Sequence, residues 1–282
     1  MTNPLAFDRY CAEIIEQTRL FRDALKGVTL DARVPACPEW TLRELAVHVG
    51  DGHRHAAEVV RTRATSFLSP GDVPRHGGPA GLPEADVAPG AYAEALSTWL
   101  SESAQLVSDE LRVAGEESPA WTLTGEQRAG FWARRRTHEA LVHRLDAASA
   151  ASAAGAGADG APSGVAAELA ADCLDELFEL TSSREALAQW PPLRSLSVRA
   201  GETLHLHATD DPPAASPAEW MIRIEEEGFT WERAHEKATT AVRGPLIDLL
   251  LVVFRRLPPG SGRVEVLGDA ELLDFWLERV GF

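Results

Sequence analysis

Apolar residues recur at three- and four-residue steps through most of the first half of the chain, which is the spacing of a buried helix face. The pattern predicts four amphipathic helices, which begin near Phe7, at Thr41, near Tyr92 and at about Gln127. The second helix has a capping box over residues 41–44, in which Thr and Glu side chains each satisfy a backbone amide. Because each helix must bury its stripe, we expect a four-helix bundle.

A stretch rich in Ala, Gly, Ser and Pro over residues 147–167 separates this pattern from a different one. Its composition removes apolar bulk and raises the entropy cost of order, which is typical of a linker. We therefore predict that a bundle over residues 1–150 is followed by a linker over 151–164 and by a second domain over 165–282.

The second domain is predicted to begin with a helix over 165–181, after which the apolar period changes towards two. Four segments predict strands, with a hairpin turn at EEEG: LSVRA, TLHLHAT, WMIRIEEEGFTWERA and ATTAVRG. A buried helix over 245–254, a strand VEVLG and a helix from Asp269 to Val280 follow. The fold class is α+β, a four-helix bundle followed by a smaller α/β domain.

Composition narrows the possible partners. The 27 Lys and Arg residues stand against 43 Asp and Glu, a formal net charge of −16, and such a surface repels nucleic acid and anionic lipid. No apolar run approaches the ~18 residues of a membrane span, and the start resembles no secretory signal. The three cysteines lack CxxC spacing, which favours a reducing compartment. We expect a cytoplasmic monomer or homodimer.

Candidate chemistry lies on the second and fourth helices. Glu139 and His143 are four residues apart, so they share one helix face, and the stripe continues to Asp146. His48 lies in the second helix within LAVHVGD. Together these residues complete a His2Glu set, which suits catalytic zinc with an open fourth position, although Fe, Ni, Co or Mn fits the same donors. The alternative is a partly buried Glu–His hydrogen bond beside a core histidine.

Other polar residues have two interpretations each. Arg134, Arg135 and Arg136 precede Glu139 and His143 on the predicted fourth helix, and Arg144 follows them. These arginines either bind a carboxylate or lie on a solvated helix face. His205 and His207 alternate in the predicted strand LHLHATD and therefore share one face. They either ligate a metal or lie on the solvated face of a sheet.

Two motifs resemble those of the mycothiol-dependent maleylpyruvate isomerase family: residues 34–50, which include VPACPEWT and LAVHVG, and residues 138–146, HEALVHRLD. LHLHATD, VRGPLIDLLL and VEVLGDAELL resemble parts of the family's second domain. The resemblance implies a DinB-like metal-binding bundle followed by a domain similar to sterol-carrier folds. It also implies a divalent metal, zinc in most members, held by His48, Glu139 and His143.

The same resemblance implies the chemistry. The thiol cosubstrate is mycothiol, whose zinc-bound thiolate attacks a small electrophile, either in a cis/trans isomerisation or in an S-transfer. The family's isomerase uses an arginine of the second domain, for which Arg243 and Arg263 are candidates. We predict that His55, Arg136 and Arg144 contact the cosubstrate.

Two alternatives of a different class stay open. One is a non-catalytic metal- or small-molecule-binding protein on the same scaffold. The other is a regulatory interaction protein, which would tolerate loss of the metal ligands. Turnover of an electrophile in the presence of mycothiol separates an enzyme from both.

Overall fold

The computed structural model of the chain describes residues 5–80, 89–155, 164–210 and 218–280. It divides into two compact units, Met1–Pro162 and Ser163–Phe282. The first is helical and the second combines helices with a mixed sheet, so the predicted α+β class is confirmed.

Four long helices make up most of the described part of the first unit. The first helix packs against the third and fourth, and the second helix also packs against both. Their shared core contains large side chains such as Phe21, Leu45 and Trp99, which confirms the predicted bundle. The helices are α1 (Phe7–Ala24), α2 (Leu42–Thr62), α3 (Pro89–Ala114) and α4 (Ala129–Ala153).

A short antiparallel pair of strands, β1 (Arg33–Val34) and β2 (Cys37–Thr41), leads into α2. Sequence reasoning missed it because β1 has only two residues and the five residues of β2 do not alternate between buried and exposed positions. The predicted capping box is present: the Glu44 amide donates to Thr41 Oγ1 at 3.3 Å, and the Thr41 amide donates to the Glu44 carboxylate at 2.7 Å. This cap fixes where α2 begins and hence the position of the residues along it.

Helix α4 continues to Ala153, three residues into the predicted linker. Alanine favours helix, and Ala147 and Ala150 are buried against the core of the bundle. Residues 156–163 of the predicted linker lie outside the described residues. The predicted domain bounds at residues 150 and 165 stay a prediction.

The second unit is built around a five-stranded sheet in the order β5-β4-β3-β6-β7. Strands β3 and β6 pair in parallel, and the other neighbouring strands pair antiparallel. The strands are β3 (Thr203–Ala208), β4 (Glu219–Ile224), β5 (Phe229–Glu232), β6 (Thr240–Gly244) and β7 (Glu265–Gly268); the helices are α5 (Ala167–Thr181), α6 (Arg184–Gln189), α7 (Pro191–Arg194), α8 (Leu246–Val253) and α9 (Ala270–Val280).

One face of this sheet forms the core of the second unit. Helices α8 and α9 pack on its central strands, and Phe178 of α5 contacts both Trp220 of β4 and Trp276 of α9. Because side chains alternate along a strand, the neighbours of these core residues project from the opposite face. His205, His207 and Glu219 are on that opposite face.

Two local predictions have different outcomes. The hairpin turn at EEEG is confirmed, since the Glu225 amide donates to the Gly228 carbonyl at 3.0 Å and Gly228 has a φ of 82°, which favours glycine. The predicted strand LSVRA is wrong, because Ser195–Arg199 is a 3-10 helix. Its two alternating apolar residues, Leu196 and Val198, do not share one buried face: Leu196 is buried and Val198 is exposed.

Among the described residues, no helix combines the length and the apolarity that crossing a membrane requires.

Candidate functional site

His48 of α2 and Glu139 and His143 of α4 lie together in the first unit. Each offers a ligand atom, and these three atoms lie within 4.8 Å of one another. Glu139 Oε2 is 3.6 Å from His48 Nε2 and 3.4 Å from His143 Nε2. The structure therefore brings together the three residues that the sequence predicts as metal ligands.

Helix geometry explains this convergence. Glu139 and His143 are one turn apart on α4, and His48 approaches from α2, which packs beside it. The Glu139 and His143 side chains are largely buried, whereas 42% of the His48 side chain is exposed. The group is therefore anchored in the bundle and accessible to solvent on the His48 side.

Asp146 orients His143. His143 Nδ1 is 3.0 Å from Asp146 Oδ2, and Asp146 is completely buried. When Nδ1–H donates to this carboxylate, the lone pair of Nε2 is on the side that faces Glu139. A carboxylate behind a ligating histidine fixes the tautomer and the orientation of the ring. The sequence extended the stripe to Asp146 without assigning it this role.

Two guanidinium groups flank Glu139. Arg135 is hydrogen-bonded to its carboxylate one turn away on α4, and Arg136 Nη1 is 3.8 Å from Glu139 Oε2. Two positive charges therefore lie next to this carboxylate, on a chain whose formal net charge is −16.

Buried polar contacts hold Arg136 in place. Its Nε donates to His53 Nδ1 at 3.4 Å and its Nη2 donates to the Val49 carbonyl at 3.2 Å, while His53 Nε2 is 2.9 Å from Thr18 Oγ1. A Cβ atom on Gly52 would lie 2.5 Å from the guanidinium, so glycine allows this close approach. Sequence reasoning missed His53; its signal is a histidine on the inward side of α2.

The histidines on α2 are shifted towards their neutral forms. Removal of solvent lowers the pKa of His48, and the electrostatic influence of His143 and Arg136 lowers it further. Burial, followed by the charge of Arg136, lowers the pKa of His53 well below its usual value. Neutral imidazole is the form that binds a metal ion.

His55 belongs to an aromatic cluster two turns along α2 from His48. Its ring centroid lies 5.4 Å from that of Phe67, 6.3 Å from that of Trp121 and 5.6 Å from that of Trp132. Trp132 is two turns from Glu139 on α4, so the cluster follows the same pair of helices. Within the described residues, the buried His55 Nε2 has no hydrogen-bond partner.

The remaining predicted site residues lie elsewhere. Arg144 is buried near Glu13 and Glu16 of α1, and burial lowers its pKa while these carboxylates raise it. In the second unit, Arg243 Nη1 is 3.5 Å from Glu265 Oε2, and Arg263 is hydrogen-bonded to Asp248 of α8. The roles of Arg144, Arg243 and Arg263 stay predictions.

Two family models match the chain. The model of the mycothiol maleylpyruvate isomerase N-terminal domain matches residues 11–148, and that of the MDMPI C-terminal domain matches residues 164–275. Together they span most of the sequence, which confirms the resemblance seen in the motifs. A search of curated proteins finds no match.

Solved structures show the same fold. A crystal structure of the mycothiol-dependent maleylpyruvate isomerase is similar, with 17% identity and a TM-score of 0.53, over 96% of this chain and 98% of that chain. A histidine-to-alanine mutant of the enzyme is similar with 16% identity and a TM-score of 0.50, over the same shares of each chain. At these identities the likeness shows the fold.

Proposed function

Because the chain belongs to the mycothiol maleylpyruvate isomerase family, we propose that it is a mycothiol-dependent metalloenzyme acting on a small electrophile. One observation carries this proposal: two imidazoles and one carboxylate converge from α2 and α4 and leave a solvent-accessible side. Catalytic zinc sites have three protein ligands of these types and keep a fourth position open. The reaction is either a cis/trans isomerisation, as in the family's name, or an S-transfer.

The residues present fit a divalent metal such as Zn2+. His48 Nε2, His143 Nε2 and Glu139 are nitrogen and carboxylate donors, and Asp146 supports His143 from behind. When bound, such an ion favours the deprotonated form of a coordinated thiol at neutral pH.

The arginines beside Glu139 bind and orient an anionic group. Arg135 and Arg136 place two positive charges next to the three ligand side chains. A guanidinium pairs with a carboxylate through two parallel hydrogen bonds. We therefore assign these residues to a carboxylate of the electrophile or to an anionic or polar group of mycothiol, as predicted for Arg136.

The His55 cluster supplies a wall for the cosubstrate or the electrophile. Phe67, Trp121 and Trp132 offer apolar ring surface, and His55 Nε2 offers an unsatisfied polar atom. Binding pockets typically combine an apolar lining with a few polar groups that fix orientation. We assign His55 to a hydrogen bond with mycothiol.

Of the two candidate arginines in the second unit, we favour Arg243. Arg263 is engaged by the largely buried Asp248, whereas Arg243 pairs at 3.5 Å with the exposed Glu265. Exposed ion pairs contribute little free energy. Breaking the pair of Arg243 with Glu265 therefore costs less free energy than breaking the pair of Arg263 with Asp248. Arg243→Ala should therefore reduce turnover more than Arg263→Ala.

The test measures metal content and turnover of the full chain after reconstitution with Zn2+. We expect His143→Ala to bind one equivalent of zinc less than the wild type while keeping its circular dichroism spectrum. His76→Ala, which removes a histidine outside the three-ligand set, is the control and should keep the wild-type content. Unchanged zinc content in His143→Ala would contradict the ligand assignment.

Turnover separates the remaining functions. The wild type is incubated with mycothiol and maleylpyruvate, or with mycothiol and a reactive electrophile, and the products are followed by mass spectrometry. Isomerisation regenerates the free thiol, whereas S-transfer leaves a stable adduct. Saturable binding of mycothiol without any product would instead favour the non-catalytic binding protein.

A further inference from the structure

A second group of potential metal ligands lies on the sheet of the second unit. It comprises His205 and His207 of β3, Glu219 of β4 and His235, which follows β5. Each offers a ligand atom, and these four atoms lie within 4.8 Å of one another. None of these residues has a part in the proposed function.

The strand register explains how three of them meet. His207 is directly opposite Glu219 in the antiparallel pair of β3 and β4, and His205 is two residues away on the same face of β3. Paired residues on neighbouring strands have Cβ atoms about 4.5–5.5 Å apart. The hairpin of β4 and β5 then returns the chain so that His235 completes the group.

All three imidazoles point at the same carboxylate oxygen. Glu219 Oε2 is 3.0 Å from His205 Nε2, 3.0 Å from His207 Nδ1 and 2.5 Å from His235 Nδ1. Around a tetrahedral zinc ion with bonds of 2.0–2.1 Å, neighbouring ligand atoms are about 3.3 Å apart. Reaching this geometry moves Glu219 Oε2 about 0.3 Å away from the His205 and His207 nitrogens and about 0.8 Å away from the His235 nitrogen.

The burial of the four side chains suits such an expansion. His205 and Glu219 form the floor, with 7% and 14% of their side chains exposed, and His207 is 22% exposed. His235 is 71% exposed and lies outside the strands. An ion can therefore approach from solvent on the His235 side, where the adjustment is least restricted.

The charges of the group also suit a cation. Glu219 brings one carboxylate to the three imidazoles. Nearby Arg233 is held by Asp175 at 2.8 Å and lies over the Trp220 ring, while Arg243 pairs with Glu265.

We propose that His205, His207, Glu219 and His235 form a second site for a divalent transition-metal ion such as Zn2+. Four protein ligands fill a tetrahedral shell, which is the arrangement of structural zinc. The ion fastens the segment after β5 to β3 and β4. This proposal does not depend on the first metal group, because the two groups share no ligand residue.

The test uses the full chain with the first group removed by the double substitution His48→Ala and His143→Ala. Zinc is titrated into this variant in competition with a chromophoric chelator, and Co2+ is added separately to record its visible absorption. We expect one equivalent of zinc, a Co2+ spectrum of four-coordinate type and a higher Tm in the presence of zinc.

Two further substitutions in the same background locate the site. His207→Ala and, separately, His235→Ala should each abolish the tight equivalent, whereas His76→Ala should leave it unchanged. The exposed position of His235 keeps the test valid if His207→Ala fails to fold. The proposal is overturned if the double variant binds no zinc, or if its zinc survives the loss of His235.

The outcomes for the two groups are distinguishable. If the wild type and the double variant each bind one equivalent of zinc, the second site is supported and the first is contradicted. If the wild type binds one equivalent and the double variant binds none, the first site is supported and the second is contradicted.

Discussion

The first and second units each assemble histidines around one glutamate, but they do so with different geometry. In the first unit, two helices contribute three donors, and the carboxylate is shared with two arginines. In the second, β3, β4 and the segment after β5 contribute four donors, and three imidazoles meet at one carboxylate oxygen. The same residue types therefore produce an open group in one unit and a closed group in the other.

The secondary structure accounts for this difference. Residues four apart on a helix lie on one side of the space between two helices, so a third donor from the other helix leaves a side accessible. In a sheet, directly opposite and alternate residues are close neighbours, and a hairpin brings a further donor over them. An open position suits a reaction, whereas a filled shell suits stabilisation.

The strongest test of this contrast neutralises each central carboxylate in turn. Glu139→Gln should lower kcat/KM by more than about 100-fold, since even loss of a partner behind a metal ligand costs about 10–100-fold. Glu219→Gln should leave kcat/KM within about twofold and lower the Tm measured with zinc. Steady-state kinetics and thermal unfolding of both variants provide the measurement. Equal losses of activity in the two variants would contradict the assignment of the reaction to the first group and of stabilisation to the second.

A smaller effect is expected from the carboxylate behind His143. Asp146→Asn should weaken zinc binding at the first group by about 10–100-fold, because an amide no longer fixes the His143 tautomer as a carboxylate does. The control is Asp109→Asn, which changes a carboxylate that is bonded to Gln105 on α3. Zinc affinity is measured by chelator competition, and an unchanged affinity would show that Asp146 serves packing alone.

The smallest expected effect concerns acid stability of the metal-free protein. Because the pKa of His53 is lowered on folding, the unfolded chain binds a proton that the folded chain excludes once the pH falls below about 6.5. The free energy of unfolding should therefore decrease as the pH is lowered, by at most about 1.4 kcal/mol per pH unit for this proton.

The variant His53→Gln should make this slope shallower. Denaturant unfolding between about pH 5 and pH 7 provides the measurement, since this range brackets the ordinary pKa of histidine. His76→Gln, which removes a half-buried histidine outside the bundle core, is the control for the loss of a histidine side chain. An identical slope in wild type and His53→Gln would show that folding does not lower the pKa of His53.

Much of the bundle is predictable from the sequence because its signals are local. The capping box at Thr41 and the stripes on α1 to α4 each depend on residues within a few turns of one another. The end of α4 is not predictable in this way, because burial of Ala150 against the core decides whether an alanine-rich stretch stays helical. Strand β1 is too short to show a period, and the residues of β2 do not alternate between buried and exposed positions.

The candidate sites divide along the same line. Glu139 and His143 are found from spacing on one helix, and His205 and His207 are found from alternation along one strand. His235 lies in a segment without a period and reaches Glu219 only through the hairpin of β4 and β5. The link from Thr18 through His53 to Arg136 joins three elements, and single-helix periodicity contains no information about it.

The parallel pairing of β3 with β6 has a consequence for the order of folding. His205 and His235 are 30 residues apart in the chain and are brought together by the antiparallel pairs of β3, β4 and β5, which form between successive segments. Joining β6 to β3 requires the chain to cross back over that hairpin, and such non-local contacts form slowly. His48 and Glu139 are 91 residues apart, and α3 lies between them in the chain. During synthesis, the histidines of the sheet can therefore meet before the last two strands join it, whereas those of the bundle meet only when its fourth helix docks.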